Sequence, residues 1–127
     1  MGFPSPAADY VERRISLDER FIAHPAATYY MRAAESYYRA GILSGALLVI
    51  DSSLNPCDGS LMICDTDGEF TIKRYRTHPS PHMENVLTGK REELPGDVIG
   101  QALSIFGVIT YIINDARSGE FDDCPVM

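Results

Sequence analysis

Positively charged residues are scarce in this chain of 127 residues. Only two lysines are present, Lys73 and Lys90, and the formal net charge is −7. An acidic surface repels the phosphate backbone of nucleic acids. Tight direct binding of DNA by this chain is therefore not expected, and any work on DNA would depend on another protein that holds it.

Cysteine pairs and targeting segments are also absent. The three cysteines, Cys57, Cys64 and Cys124, form no Cys-x-x-Cys pair, which favours free thiols in a reducing compartment. The N-terminus lacks the basic-then-apolar layout of a signal peptide. The longest apolar stretch, residues 105–113, is too short to span a bilayer. We expect a soluble, cytoplasmic protein that does not contact a membrane.

The sequence contains no phosphate-binding loop, dinucleotide fingerprint or zinc motif, and no cofactor is expected. His78 and His82 flank a proline-rich stretch that could bind a metal, but no third ligand lies nearby. Solvated loop histidines are the better interpretation of His24, His78 and His82.

A single domain fits this length and a hydrophobic content of 45%. Residues 1–12 begin with two closely spaced prolines and are expected to form an extended N-terminal arm. Residues 13–114 would form the domain. Residues 115–127 are acidic and are expected to form a C-terminal tail that frays.

The domain is expected to be mainly β. A capping-box spacing at Ser16 and Glu19 predicts one short helix through Ile22. Asp67-Gly68 favours a tight β-hairpin turn. The pattern predicts a pair of small twisted sheets or a partly open barrel. Residues 88–96 are expected to be charged and exposed, and strands are expected at residues 28–33, 45–51, 61–66, 69–75, 83–87 and 102–113.

Ser36 and Lys73 are the candidate catalytic residues. Ser36 lies in a break between two β segments, and Lys73 lies in mid-strand beside Ile72, where a buried charge is costly. Desolvation favours the neutral amine, which can take the proton of a serine hydroxyl that then attacks a peptide carbonyl. Backbone N–H groups near the serine would stabilise the oxyanion. Spacing alone is weak evidence, because most turn serines and strand lysines are surface residues.

Several segments of the chain, taken together, resemble the LexA/UmuD family of Ser–Lys self-cleaving peptidases. The matching segments keep their order and nearly keep their spacing, and they are residues 2–12, 24–25, 27–29, 41–42, 45, 47–52, 67–73 and 106–108. By this resemblance Ser36 is the nucleophile and Lys73 the general base. The resemblance implies a curved, partly open antiparallel β structure of the LexA C-terminal domain type, with at most one or two short helices.

Two departures from the family pattern bear on peptidase activity. The chain begins where UmuD members begin after self-cleavage, so a processed, UmuD′-like form without its own bond to cut is expected. Where the family usually has Gly-Asp-Ser-Met, this chain has Ala34-Glu35-Ser36-Tyr37 and is one residue shorter. Alanine and glutamate resist backbone angles that glycine permits. Displacing a nucleophile by about 1 Å can cost about a hundredfold in rate, so weakened activity is expected.

The resemblance implies a homodimeric accessory subunit of an error-prone, UmuC-type Y-family DNA polymerase. Such a subunit would act with a RecA filament in SOS mutagenesis and translesion synthesis. One alternative is an active Ser–Lys peptidase that cleaves a UmuD/LexA-type partner in trans. Another is an inhibitor that forms a heterodimer with a UmuD-type protein.

Two segments are candidate contacts with partners. Ile105, Phe106, Val108 and Ile112 lie on an apolar strand whose edge is a candidate for pairing with a second copy. The other interpretation is that they fill the core, and alternation along the strand suggests both, with one face for each. The proline-rich residues 3–8 are the candidate contact for the polymerase or the filament.

Overall fold

The computed structural model describes residues 16–66, 68–93 and 103–117. The predicted arm, residues 1–12, and residues 118–127 of the predicted tail lie outside the described residues. None of the helices in the described part of the chain has the length and apolar character that a membrane crossing needs.

Seven antiparallel strands form one sheet, with the order β1-β2-β7-β3-β4-β5-β6. The mainly β prediction is confirmed. A pair of small sheets was one expectation, and the described strands instead form a single sheet. Their bounds are β1 Thr28–Arg32, β2 Leu47–Asp51, β3 Leu61–Thr66, β4 Glu69–Arg76, β5 His82–Asn85, β6 Arg91–Glu92 and β7 Leu103–Ile113.

Among the described residues, a short helix, α1 (Leu17–Phe21), precedes the sheet. Its N-cap is Ser16, whose hydroxyl accepts a hydrogen bond from the Glu19 N–H at 3.4 Å. This is the contact that the capping-box spacing predicts, and it satisfies one of the free N–H groups at the helix start. A 3₁₀ turn, Pro25–Ala27, then leads into β1.

The hairpin predicted around Asp67-Gly68 is formed by β3 and β4. Its register runs from Leu61 opposite Arg74 to Thr66 opposite Glu69. Gly68 has a φ of 84°, which glycine adopts without steric cost, and its N–H donates to the Asp65 carboxylate at 2.9 Å. Asp67 itself lies outside the described residues.

Strand β7 lies inside the sheet, between β2 and β3. Each of its edges is paired over about half of its length, since residues 108–113 pair with β2 and residues 103–108 pair with β3. The expectation that this strand pairs through an edge with a second chain therefore stays a prediction. Val108 is buried, and Phe106 and Ile112 pack against the core. These three side chains therefore contribute to the core, whereas Ile105 is exposed.

The sheet buries apolar side chains on both faces, because successive residues of a strand point to opposite sides. Ile63 belongs to the larger of two apolar clusters, and its neighbours Met62 and Cys64 belong to the smaller one. On β4, Ile72 packs against the larger cluster. Lys73, the next residue, therefore lies on the face of the smaller cluster. The buried members of the larger cluster are Ala33, Ile42, Ala46, Leu48, Ile50, Ile63 and Ile109.

Gly107→Ala is expected to destabilise the fold. A Cβ on this buried residue of β7 would lie 2.6 Å from Ile50 Cγ2 and 3.1 Å from the Asp51 carbonyl oxygen. Overpacking of this kind typically costs about 1–3 kcal/mol of unfolding free energy. Urea unfolding measures the cost. Ser104→Ala, at an exposed position of the same strand, is the control and should change stability by less than about 0.5 kcal/mol. Equal stability of both variants would contradict this packing.

Candidate active site

Ser36 lies in the loop between β1 and β2, and backbone hydrogen bonds close this loop at two levels. Next to the strands, the Ala33 N–H donates to the Ala46 carbonyl at 2.9 Å. Farther out, Tyr37 and Ile42 form a bridge in which the Tyr37 N–H donates to the Ile42 carbonyl at 2.7 Å. Ser36 lies between these two levels, in the break between β segments that the sequence predicts.

The Ser36 hydroxyl is held from one side. It accepts a hydrogen bond from the backbone N–H of Ser44 at 2.9 Å. Ser36 is half-buried, whereas Ala34 and Glu35 before it are exposed. A hydroxyl has one proton to donate besides its two lone pairs. This bond orients the oxygen and leaves the proton available for transfer to a base.

Lys73 lies in the middle of β4, opposite Met62 of β3 and Asn85 of β5. The predicted mid-strand position is confirmed. Only 17% of its side chain is exposed, and its Nζ lies 2.6 Å from Oε1 of Glu92. A charged group with so little exposure requires a partner, and Glu92 is that partner.

Two contacts hold Glu92 in place. Its Oε1 binds Lys73, and its Oε2 accepts a hydrogen bond from Asn85 Nδ2 at 3.1 Å. Burial acts to raise the pKa of the Glu92 carboxyl. The hydrogen bonds from Lys73 and Asn85, together with the positive charge of Lys73, outweigh it and bring the pKa below its ordinary value. The carboxylate is therefore ionised at neutral pH.

The sequence does not indicate this role of Glu92, because residues 88–96 resemble an exposed, charged loop. In the structure, Arg91 and Glu92 form the short strand β6, opposite Glu84 and Met83 of β5. A strand of two residues is too short to show the alternation from which strands are predicted. Arg91 is exposed, as expected, whereas Glu92 is partly buried, so the expectation of an exposed residue is wrong at Glu92.

Cys64 is buried on β3 near the ion pair of Lys73 and Glu92. Burial raises the pKa of its thiol to about 11, although the positive charge of Lys73 acts in the opposite direction. The thiol is therefore protonated at neutral pH and a poor nucleophile. Cys64 and the exposed Cys57 are both free, as expected, and Cys124 lies outside the described residues.

The structure gives the two candidate catalytic side chains different partners. Ser36 bonds to Ser44, and Lys73 pairs with Glu92. Within residues 16–66, 68–93 and 103–117, no hydrogen bond or ion pair joins Ser36 to Lys73. Their action as a catalytic pair therefore stays a prediction.

A second polar cluster, which the sequence does not indicate, joins His24 to the end of β2. Asp51 is buried, and its Oδ2 lies 2.5 Å from His24 Nδ1. Its Oδ1 accepts two hydrogen bonds from Ser53, one from the hydroxyl at 2.5 Å and one from the backbone N–H at 2.8 Å. Hydrogen bonds from Ser53 and then His24 hold the pKa of Asp51 below its ordinary value, against the effect of burial. The cluster therefore ties the segment before β1 to β2.

This cluster does not have the geometry of a Ser–His–Asp triad. In a triad the histidine lies between the other two residues and uses one ring nitrogen for each. Here Asp51 lies between, and His24 approaches both Asp51 and Ser53 with the same Nδ1. The cluster borders a pocket of about 600 Å³ that neither Ser36 nor Lys73 lines. We therefore assign the cluster a structural role.

One of the three histidines, His82, differs from its predicted environment. His82 is buried at the start of β5, with its Nδ1 2.7 Å from the Ser80 carbonyl, so the solvated-loop interpretation is wrong for this residue. His78 is exposed, as predicted. Within the part of the chain that the structure describes, no group of three or more metal-binding side chains is present.

Comparison with known proteins gives a consistent picture. The peptidase S24-like family matches residues 1–87, a span that includes Ser36 and Lys73. The chain belongs to the peptidase S24-like family. This S24-like chain is 40% identical over 117 residues to Protein ImpA of Escherichia coli, a match that covers 91% of the chain and 79% of that protein.

Two further relatives of this S24-like chain have similar coverage. Protein SamA of Salmonella typhimurium is 40% identical over 118 residues, which is 92% of the chain and 81% of that protein. Protein MucA of Escherichia coli is 35% identical over 114 residues, which is 87% of the chain and 75% of that protein. The expected UmuD-like resemblance is confirmed, and it supports a part in SOS mutagenesis.

Asp51→Asn is expected to lower the stability of this S24-like chain at neutral pH. It is also expected to reduce the change in stability between neutral and acidic pH. The pKa of Asp51 in the folded chain lies below its ordinary value, which is about 3.9. Its carboxylate therefore stabilises the fold above that value, and this contribution is lost as the pH falls through the folded pKa.

Urea unfolding across the acidic and neutral pH range measures the effect. Glu69→Gln, which removes an exposed carboxylate at the start of β4, is the control and should keep the wild-type pH dependence. A pH profile of Asp51→Asn that runs parallel to the wild-type profile would contradict the assigned role of Asp51.

Proposed function

We propose that this chain is a UmuD-like accessory subunit of an error-prone, UmuC-type Y-family DNA polymerase, and that it acts in translesion synthesis. The observation that carries the proposal is the 40% identity to Protein ImpA over 91% of the chain. The antiparallel sheet of the LexA C-terminal type supports it. The resemblance to UmuD members adds the partners, which are a second copy or a UmuD-type protein, the polymerase and a RecA filament.

In this proposal the chain acts by binding proteins in the cytoplasm and does not depend on catalysis. Lys73 is held by Glu92, and Ser36 follows Ala34-Glu35 where the family usually has glycine and aspartate. The net charge of −7 disfavours contact with DNA phosphates, so the polymerase and the filament would hold the DNA. Of the four residues expected at a dimer interface, Ile105 is the exposed one and remains the candidate contact.

Complementation of a bacterial strain that lacks UmuD tests this binding role. The wild-type chain and Ser36→Ala are expected to restore damage-induced mutagenesis equally, because the role does not require a nucleophile. Mutation frequency after ultraviolet irradiation is the measurement, at matched protein levels. Ser104→Ala, the same substitution at an exposed position on β7, is the matched control.

Two results would argue against the binding role. Failure of the wild-type chain to complement would contradict it. Loss of complementation by Ser36→Ala but not by Ser104→Ala would show that the nucleophile is needed. If overexpression instead blocks the SOS response of a host with its own UmuD, the result would favour an inhibitor that forms heterodimers.

A second candidate function is cleavage of a UmuD/LexA-type partner in trans. The family match favours it, because residues 1–87 include both Ser36 and Lys73. The purified chain would then cleave a full-length partner faster at alkaline pH, where a lysine amine is more often neutral. Both Ser36→Ala and Lys73→Ala are expected to abolish cleavage. Absence of product, beside a cleavage-competent family member under the same conditions, would exclude this function.

A further inference from the structure

We propose that Glu92 is the counter-ion that keeps Lys73 in its charged form and thereby holds the Ser–Lys site inactive. The inference concerns a residue on β6 that lies outside the residues 1–87 matched by the family. Its consequence for catalysis rests on the second candidate function above, in which Lys73 is the general base.

The contact geometry favours a persistent ion pair. The Nζ of Lys73 and the Oε1 of Glu92 are 2.6 Å apart, and their side chains are 17% and 34% exposed. Short hydrogen bonds between two charged groups are the strongest in proteins, and partly buried pairs are screened little by salt. Asn85 holds the second carboxylate oxygen, so Glu92 is fixed in the orientation that faces the lysine.

The charged form of Lys73 cannot act as a base. Catalysis by a Ser–Lys pair requires the serine O–H proton to move to the lone pair of a neutral amine, while the serine oxygen forms a bond to the peptide carbonyl carbon. A lysine ammonium has three donors and no lone pair. By stabilising the ammonium, Glu92 removes the only proton acceptor that the reaction would use.

No other charge on the described residues near Lys73 takes the place of Glu92. Cys64, on the same face of the sheet, is buried and protonated, because burial raises its pKa to about 11. Asn85 is neutral. Among the described residues, the one carboxylate within ion-pair distance of Lys73 is that of Glu92.

The neighbouring residue Glu93 provides a matched control. It lies directly after Glu92, is exposed, and pairs with Arg91 at 2.9 Å. Glu93→Gln removes the same charge from the next position in the chain without touching the Lys73 contact. Lys90 provides an internal reference, because it is exposed and is the only lysine besides Lys73.

An NMR titration of the full chain tests the counter-ion role directly. With side-chain ¹³C labelling, the ε-carbons of the two lysines report the pH midpoint at which each amine loses its proton. In Glu92→Gln, the Lys73 midpoint is expected to move to lower pH, because the amine loses its opposite charge while it stays mostly buried. The Lys90 midpoint should stay unchanged, and Glu93→Gln should leave both midpoints at their wild-type values.

The outcomes separate the counter-ion role from the peptidase function. An unchanged Lys73 midpoint in Glu92→Gln overturns the counter-ion role, whatever the cleavage result. A lowered midpoint with faster cleavage of a UmuD-type partner near neutral pH supports both proposals. A lowered midpoint without cleavage supports the counter-ion role and argues against the peptidase.

A second variant guards against misfolding. Glu92→Asp keeps the charge but shortens the side chain by one methylene, so it should retain more of the wild-type Lys73 midpoint than Glu92→Gln does. Circular dichroism establishes that each variant keeps the β sheet. If both variants fold and shift the midpoint equally, the charge of Glu92 is not the cause and the proposal fails.

Discussion

The pairing of β7 with both β2 and β3 is the constraint on which the rest of the structure depends. It joins two halves of the sheet. One half, β1 and β2, carries the Ser36 loop, and the other half, β3 to β6, carries Lys73 and Glu92. The register of β7 shifts on each side, once between Val49 and Ile50 and once between Ile63 and Cys64. Irregularities of this kind bend and twist a strand, so the relation between the two halves of the candidate site is set within β7.

The candidate site contains the serine and the lysine of a Ser–Lys pair, but among the described residues these two side chains bond to different partners. Its serine is held by a backbone N–H and its lysine by a carboxylate, so each group is satisfied by a neighbour on its own half of the sheet. Satisfying buried polar groups stabilises a fold. The Ser44 contact leaves the Ser36 proton available, whereas the proposed counter-ion role of Glu92 would oppose its transfer to Lys73. Under that proposal, stability and catalysis make opposite demands on Lys73.

The parts of the fold that were predictable from the sequence are those with local causes. Ser16 caps the helix through a residue three positions later, and Gly68 turns the β3–β4 hairpin within a few residues. The central place of β7, the buried Asp51 cluster and the partner of Lys73 depend on contacts between distant segments. Glu92 illustrates the difference, because a charged residue beside Arg91 and Glu93 resembles solvated surface until the sheet brings Lys73 to it.

The position of β7 also determines how the chain can fold. Thr110 bonds to Val49 across 61 positions, whereas β3 and β4 meet across a tight turn. Pairings between distant segments form slowly, because the intervening chain must first lose entropy. The β3–β4 hairpin can therefore form while the chain is still being synthesised, but the two halves cannot join until residues 103–113 have left the ribosome. Until then, the edges of β2 and β3 that β7 later covers stay open to aggregation.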